Sequence, residues 1–172
     1  MLGSLSFIRE IPLFDSLRVF VVRIMRGRHP LYPGREHIHH ALLDIGFGHK
    51  FTSLILYFSC VFWTLAYDTI YALQDKIDDE KFGIKSLAIY MGKNNKYWII
   101  FFYLCFISGI FYLGMIINLN LIFFFLIILF TSKIIFEIIK LDLHQPKNCA
   151  RNFQLNSWYG FFITISLYLN YI

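Results

Sequence analysis

The chain alternates long apolar stretches with short polar segments, a pattern typical of helical membrane proteins. Its apolar stretches are residues 52–72, 97–117, 121–136 and 157–172. About 20 apolar residues in a helix are enough to cross a hydrocarbon core of roughly 30 Å. The pattern therefore predicts an all-α, multi-pass transmembrane helical bundle of about four spans. The predicted helices lie near 52–74, 97–117, 120–138 and 157–171.

The connections between the last three stretches differ in character. Asn118-Leu119-Asn120 is short and polar at both ends, so it predicts a tight turn. Residues 137–156 are polar over most of their length and are predicted to connect the third span to the fourth. Lys133 interrupts the third stretch near its end, where its long side chain can reach the membrane surface.

The first 52 residues differ from the rest because they hold six of the seven arginines and five of the six histidines. Apolar side chains recur there at helical spacing: Leu13, Phe14, Leu17, Phe20, Val21 and Ile24. This spacing predicts an N-terminal amphipathic helix near 11–26, ended by Gly27, that lies in the membrane interface beside the bundle. A full crossing is disfavoured, since an arginine at mid-bilayer costs about 2.5–3.5 kcal/mol. A short helix is predicted from His37 to Leu43.

Composition agrees with the membrane interpretation. Of 172 residues, 58% are hydrophobic and only 16% are charged, which excludes an ordinary soluble domain. The net charge of +5 comes from basic residues in the polar segments, so it favours the bilayer as a partner and not a nucleic acid. The three cysteines, Cys60, Cys105 and Cys149, lack the spacing of a metal site.

The candidate chemistry lies in residues 62–96, where an apolar stretch runs into a group of acids. The carboxylates are Asp68, Asp75, Asp78, Asp79 and Glu80. One helix over residues 63–79 would place these polar side chains on one side: Asp68, Tyr71, Gln74, Asp75, Asp78 and Asp79. Carboxylates stacked in this way repel, and Mg²⁺ with substrate phosphates would neutralise them. The alternative is a solvated loop in which Lys76, Lys81 and Lys85 neutralise the acids.

The order of residues in YDTIYALQDKIDDEKFGIKS, residues 67–86, is a more specific signal. It resembles the second aspartate-rich motif of the UbiA superfamily of prenyltransferases, in particular the 4-hydroxybenzoate polyprenyltransferases. The matching positions are Tyr71, Asp75, Asp79, Gly83, Lys85 and Ser86, with Trp63-Thr64 and Tyr67-Asp68 ahead of them. The resemblance covers about residues 57–172.

This resemblance implies a Mg²⁺-dependent transferase of ubiquinone biosynthesis. A polyprenyl diphosphate would donate its prenyl chain to an aromatic acceptor such as 4-hydroxybenzoate. Asp75 and Asp79 would hold the metal and the diphosphate, and Lys85 would contact phosphate oxygens. Tyr71 and Asp68 would line the pocket near the cation or the acceptor. The expected location is a bacterial inner membrane.

The same resemblance predicts that the chain is incomplete as a catalyst. The family also uses an earlier NDxxD-type motif on another helix pair, and nothing in residues 1–61 matches it. Four spans are also few for enclosing a long prenyl chain. Partner helices that supply the missing half are therefore expected, and the activity of this chain alone stays open.

A second resemblance covers about residues 10–57. HPLYPGREHIHH, residues 29–40, is similar to a cytosolic loop of the polyprenyl-phosphate N-acetylhexosamine-1-phosphate transferases, where a PFxPDRxHIHH loop contributes to the nucleotide-sugar site. The residues concerned here are Arg28, Arg35, His37, His39 and His40. Gly34 stands where that family has an aspartate. Zinc at His37 and His40 would need a third ligand, so histidines facing phosphates or neighbouring loops are the alternative.

The chain thus resembles parts of two membrane transferases, divided as residues 1–56 and 57–172, and we interpret the join as a recent accident. In each family the quoted loop faces the cytosol, yet a single span at 52–72 would place the two loops on opposite sides. We therefore predict that the halves do not build one active site. The functional alternatives are a remnant of the sugar-1-phosphate transferases of cell-envelope glycan synthesis and a non-catalytic membrane protein.

Overall fold

The chain folds as a bundle of helices. The structure is a computed structural model and describes residues 10–31, 34–35, 37–143 and 145–169. The helices are α1 (Glu10–Met25), α2 (Ile38–Asp44), α3 (His49–Ala72), α4 (Lys76–Lys81), α5 (Leu87–Met91), α6 (Asn95–Ile116), α7 (Leu121–Lys140) and α8 (Pro146–Tyr168). A 3₁₀ turn, Gly92–Asn94, links α5 to α6. No strand occurs in these residues, and the all-α fold class is confirmed.

Three of the described helices are long and apolar enough to cross a membrane: His49–Ala72, Leu87–Ile116 and Leu121–Lys140. The second of these runs through α5, the 3₁₀ turn and α6. The fourth predicted span corresponds to α8, which does not reach that apolarity because asparagines and the basic residues Lys147 and Arg151 occupy its first half. The architecture is that of an integral membrane bundle.

The centre of the bundle is the contact between α3 and α6. The buried side chains there are Trp63, Ala66, Tyr67 and Ile70 from α3, and Ile99, Phe102, Tyr103 and Phe106 from α6. The Trp63 ring stacks on the Phe106 ring with centroids 5.2 Å apart. A side chain at Gly109 of α6 would overlap the Ser59 hydroxyl of α3. Small residues at this crossing therefore let the two backbones approach closely, as is common between membrane helices.

The tight turn predicted at Asn118–Asn120 is confirmed and joins α6 to α7. Asn118 has a φ of +53°, in the left-handed region that asparagine tolerates better than most residues. The Leu119 N–H donates to the Gly114 carbonyl at 2.9 Å and closes the end of α6. The Asn120 side chain accepts a hydrogen bond from the Phe123 N–H at 3.0 Å, which caps α7.

The last helix begins well before the predicted residue 157. Most of the polar connection predicted at 137–156 is helical, because α7 continues to Lys140 and α8 begins at Pro146. Along α8 as far as Tyr159, the buried residues recur at steps of three and four: Cys149, Asn152, Asn156 and Tyr159. The prediction was wrong here because a boundary set by apolarity places asparagines outside the bundle, whereas these asparagines face its interior.

Asn156 ties α8 to α6 inside the bundle. Its side-chain oxygen accepts a hydrogen bond from the Tyr103 hydroxyl. Its side-chain nitrogen donates to the Asn152 carbonyl at 3.2 Å and to the Phe153 carbonyl at 3.3 Å. An unpaired amide in an apolar interior is costly, so this set of bonds restricts how α8 can rotate against α6.

α1 confirms the predicted N-terminal helix and packs against α8. Gly27, with a φ of +65°, follows its last turn, and the Arg28 N–H donates to the Arg23 carbonyl at 2.8 Å. The side facing the bundle carries Val19, Val22 and Arg23, which are buried. The described part of the predicted apolar stripe is exposed, namely Leu17, Phe20, Val21 and Ile24. An outward apolar stripe suits a helix that lies against lipid.

We expect Tyr103→Phe to lower the stability of the bundle. The change leaves the buried Asn156 oxygen without its donor, which costs about 1–3 kcal/mol. The measurement is the thermal midpoint in detergent, followed by circular dichroism. Adding Asn156→Leu should recover part of the loss, because the unpaired amide is then removed. Ser108→Ala is the matched control, since Ser108 lies exposed on the same helix and its hydroxyl donates locally to the Cys105 carbonyl. Equal losses for Tyr103→Phe and Ser108→Ala would contradict the assignment.

Candidate active site

The acidic segment forms the connection between α3 and α6 at one end of the bundle. α3 ends at Ala72, close to the end of the helix predicted near 52–74, and α4 begins at Lys76. The continuous helix over residues 63–79 that would stack all the acids on one side therefore does not form. The Gln74 N–H donates to the Tyr71 carbonyl at 2.9 Å, which tightens the last turn. Leu73 is buried in the core beside it. The helix stops there because the turn places Leu73 inside the bundle and directs the following acids away from it.

Asp75 and Asp79 stay one turn apart despite the end of α3. The Asp75 carbonyl accepts hydrogen bonds from the Asp78 N–H at 3.0 Å and from the Asp79 N–H at 2.8 Å. The Asp75 side chain makes no capping bond to α4 and is exposed, and Asp79 is half-buried. The spacing predicted for this pair is therefore built by α4 alone.

The other two acids of α4 are paired with lysines. Lys81 donates to Asp78 at 3.0 Å, and Lys76 lies 4.0 Å from Glu80. Within the described part of the chain, Asp75, Asp79 and Lys85 form no ion pair or side-chain hydrogen bond. Neutralisation by lysines thus accounts for Asp78 and Glu80 and leaves the two aspartates of the motif available.

A glycine turn returns the chain from α4 towards the bundle. Gly83 has a φ of +67°, and the Ile84 N–H donates to the Asp79 carbonyl at 2.9 Å. Lys85 follows directly and is exposed. Because the left-handed conformation favours glycine, Gly83 allows the turn that brings the Ile84 N–H back to the Asp79 carbonyl, with Lys85 next in the chain.

The far end of the segment is anchored by buried groups. Ala88 of α5 is fully buried in the main core. The Asn95 side chain, also fully buried, donates to the Ala88 carbonyl at 2.9 Å and to the Gly92 carbonyl at 2.6 Å. Lys96 donates to the Ile139 carbonyl at 2.9 Å and thereby joins this end to the last turn of α7. The segment is fixed at both ends and exposed in between.

Tyr71 and Asp68 lie on the last turns of α3, and both are exposed. The Tyr71 ring lies 5.1 Å from the ring of Phe153 on α8, and the same Phe153 ring lies 5.9 Å from Tyr67. Sequence reasoning missed Phe153 because it assigned that residue to a connection. The signal that could have revealed it is the helical spacing of the residues that α8 buries. Asparagines are among these residues, so a search for apolar residues does not detect the spacing.

No group of three or more His, Cys, Asp or Glu side chains that could hold a metal ion occurs in the described part of the chain. Mg²⁺ does not require one, since it commonly takes one or two carboxylates and completes its shell with water and substrate phosphates. Asp75 and Asp79 are hard oxygen donors one turn apart and without a lysine partner, so their chemistry fits such an ion.

The histidine segment lies before α3, whereas the acidic segment follows it. α3 has 24 residues, and a helix of that length extends about 36 Å. The rings of His37 and His39 stack with centroids 5.7 Å apart, and those of His39 and His40 lie 4.1 Å apart. Arg35 forms an exposed ion pair with Asp44 at the end of α2, and Arg28 is exposed after α1. These residues precede the start of α3 in the chain, whereas Asp75 follows its other end.

The fold and the acidic connection describe an integral membrane bundle with a carboxylate site at one edge. The sequence profile of the UbiA prenyltransferase family matches residues 41–165, and the chain belongs to this family. It is 43% identical to 4-hydroxybenzoate geranyltransferase 2 of Lithospermum erythrorhizon over 105 residues. This aligned region is 61% of this chain and 34% of that protein. It is 34% identical over 116 residues to the human mitochondrial 4-hydroxybenzoate polyprenyltransferase, which covers 67% of this chain and 31% of that protein.

The chain spans about a third of the length of the curated relatives that it matches, for example 34% and 37% of the two Lithospermum proteins. No solved structure matches it. The predicted family membership is confirmed. The resemblance of residues 10–57 to sugar-phosphate transferases, the accidental join and the division at residue 57 stay predictions.

We expect cysteines introduced at His40 and Lys93 to react from opposite sides of the membrane, because α3 crosses between them. The background should lack the three native cysteines. A membrane-impermeant maleimide applied to sealed vesicles of known orientation makes the measurement, and a permeant maleimide checks that both positions can react. Labelling of both from one side would overturn the single crossing and reopen a composite site.

We expect Gly83→Val to loosen the acidic segment. A β-branched residue in the left-handed conformation costs about 1–2 kcal/mol or more. Trypsin should then cut faster after Lys81 and Lys85, which gel analysis of timed digests measures. Gly48→Val is the matched control, because Gly48 has a φ of −68° and open space around it. Equal cleavage rates in both variants would show that the turn does not depend on Gly83.

Proposed function

We propose that this chain carries part of a prenyl-transfer site, in which a polyprenyl diphosphate donates its chain to an aromatic acceptor such as 4-hydroxybenzoate in quinone biosynthesis. One observation carries the proposal: the two motif aspartates, Asp75 and Asp79, are one turn apart and free of lysines, whereas both neighbouring acids are paired. The names of the relatives support the same chemistry.

Asp75 and Asp79 are the residues that would hold Mg²⁺. Bound there, the ion supplies positive charge that stabilises a diphosphate leaving group. Lys85 follows the Gly83 turn as a further exposed cation, and its ammonium group acts as a point charge for phosphate oxygens. The site therefore combines two free carboxylates with a free lysine on a connection that is anchored at both ends.

The proposed reaction is an electrophilic aromatic substitution. The allylic C–O bond of the donor breaks, and its electron pair leaves with the diphosphate. A ring carbon of the acceptor forms the new C–C bond and then loses its proton to water or a solvent base. Tyr71 and Asp68 suit the side of the site where the allylic carbon becomes positive, since an aromatic face and a carboxylate both attract a cation.

The partners in this proposal are the lipid bilayer, the two substrates and helices that complete the site. A chain that spans about a third of its relatives' length presents the second aspartate-rich motif without the first, so a further carboxylate pair has to come from elsewhere. We propose a bacterial inner membrane as the location. Several relatives are named as mitochondrial proteins. Membrane fractionation of the source cells distinguishes a bacterial inner membrane from a mitochondrial membrane.

We expect Asp75→Asn and Asp79→Asn each to lower prenylation of 4-hydroxybenzoate by about 100-fold or more, because each removes charge that the leaving group depends on. Asp78→Asn is the matched control on the same helix and should lie within a few-fold of the unchanged chain, since Asp78 is engaged by Lys81. The assay uses the full chain in lipid vesicles with Mg²⁺ and geranyl diphosphate.

A second measurement covers the case in which the chain alone shows no turnover. Mg²⁺-dependent retention of radiolabelled geranyl diphosphate by the vesicles should fall in Asp75→Asn and Asp79→Asn and persist in Asp78→Asn. Unchanged retention of geranyl diphosphate in all three variants would show that this segment does not bind the diphosphate. Equal losses in all three would show a general charge effect and contradict the assigned roles.

A further inference from the structure

The connection between α3 and α6 exposes large apolar side chains beside its charges. We call them the rim residues: Ile77, Phe82, Ile84, Leu87 and Tyr90. Phe82 is 79% exposed and Tyr90 is 89% exposed. For Ile77, Phe82 and Ile84 this exposure lies outside the helices that are long and apolar enough to cross the membrane, so contact with acyl chains does not already account for it. Leu87 and Tyr90 lie at the start of the second of those helices, Leu87–Ile116.

The described part of the chain does not cover these side chains. α4 buries none of its residues. α5 packs inward with Ala88, which is fully buried, and with Met91, which contacts the core. Leu87 and Tyr90 lie three apart on that short helix and are exposed. The packing that anchors α5 thus leaves these two side chains outside the core.

Neighbouring residues mark the depth of this connection. Tyr97 and Trp98 are 76% and 44% exposed at the start of α6. Tyrosine and tryptophan on the outside of a membrane helix concentrate at the level of the headgroups. Tyr90 precedes them in the same helical run, Leu87–Ile116. The rim residues therefore lie next to Tyr97 and Trp98, aromatic side chains of the kind that concentrates at the membrane boundary.

Exposed lysines alternate with the rim residues. Lys81, Lys85 and Lys93 are all exposed. Apolar side chains interleaved with lysines are typical of segments that lie in a bilayer surface, where lysine reaches the phosphates. The core of a protein interface is instead depleted in lysine. The mixture favours phospholipid over a protein partner as the surface that covers the rim.

We propose that the rim residues insert into the headgroup region of the bilayer and hold α4 and α5 flat on the membrane surface. Phe82 and Tyr90 are the principal anchors, and Lys93 contacts lipid phosphates beside them, since Lys81 pairs with Asp78 and Lys85 is assigned to the substrate diphosphate. This inference does not depend on the reaction that the site performs. Under the proposed function, it would keep Asp75 and Asp79 at the depth of a lipid-borne diphosphate.

The test places the photoreactive residue p-benzoylphenylalanine at Phe82 or at Tyr90 in the full chain. The chain is reconstituted in vesicles of phosphatidylcholine with a minority of phosphatidylglycerol and irradiated. Mass spectrometry should find phospholipid adducts at both positions. Glu80 is the matched control because it is exposed on α4 and polar, and its adducts should be several-fold fewer. Lipid adducts no more frequent than at Glu80, or cross-links mainly to protein, would overturn the proposal.

A fluorescence measurement guards against a photoreactive variant that fails to fold. A cysteine at Ile84, in the background without native cysteines, carries an environment-sensitive nitrobenzoxadiazole label. Its emission should shift to the blue and be quenched by nitroxide lipids but weakly by iodide in the water. Strong iodide quenching would place the rim in water and overturn the proposal, and so would a label that neither quencher reaches. Circular dichroism confirms that each variant used is helical.

Discussion

Close packing of α3 on α6 is the constraint on which the rest of the molecule depends. Gly109 lies against Ser59, and aromatic stacking between Trp63 and Phe106 continues the contact. The acidic connection leaves one of these helices and enters the other, so their packing fixes both of its ends. Asn95 and Ala88 then hold the returning end to the core. A membrane offers no hydrophobic force between helices, which is why close backbone approach and buried hydrogen bonds have to supply this rigidity.

Charge pairing within α4 separates acids that look equivalent in composition. Asp78 and Glu80 have lysine partners, whereas Asp75 and Asp79 remain free and are brought within one turn by the hydrogen bonds of the helix start. The left-handed turn at Gly83 then sets a free lysine behind them. Two of the four acids are thus paired within the segment, and the other two remain available for the metal-bound diphosphate of the proposed function.

α8 shows how polar residues serve the interior of a membrane bundle. Asn156 joins α8 to α6 through Tyr103 and also bonds its own helix backbone. The same helix carries Phe153 to the ring of Tyr71 at the edge of the candidate site. The last helix therefore links the buried core to the site, and α1 packs against it with an exposed apolar stripe.

The sequence by itself determined the all-α class, the positions of α3, α6 and α7, the Asn118–Asn120 turn and the family. Runs of apolar residues and an ordered motif are local properties of the sequence. They can be recognised without knowing which other parts of the chain pack against them. Only the tertiary structure decided that α3 stops at Ala72, because that depends on Leu73 finding a place in the core. It also decided that α8 starts at Pro146, because buried asparagines are recognisable only with Tyr103 opposite them. Which acids are free was settled there too, since four carboxylates and three lysines within eleven residues, 75 to 85, allow many pairings and α4 selects among them.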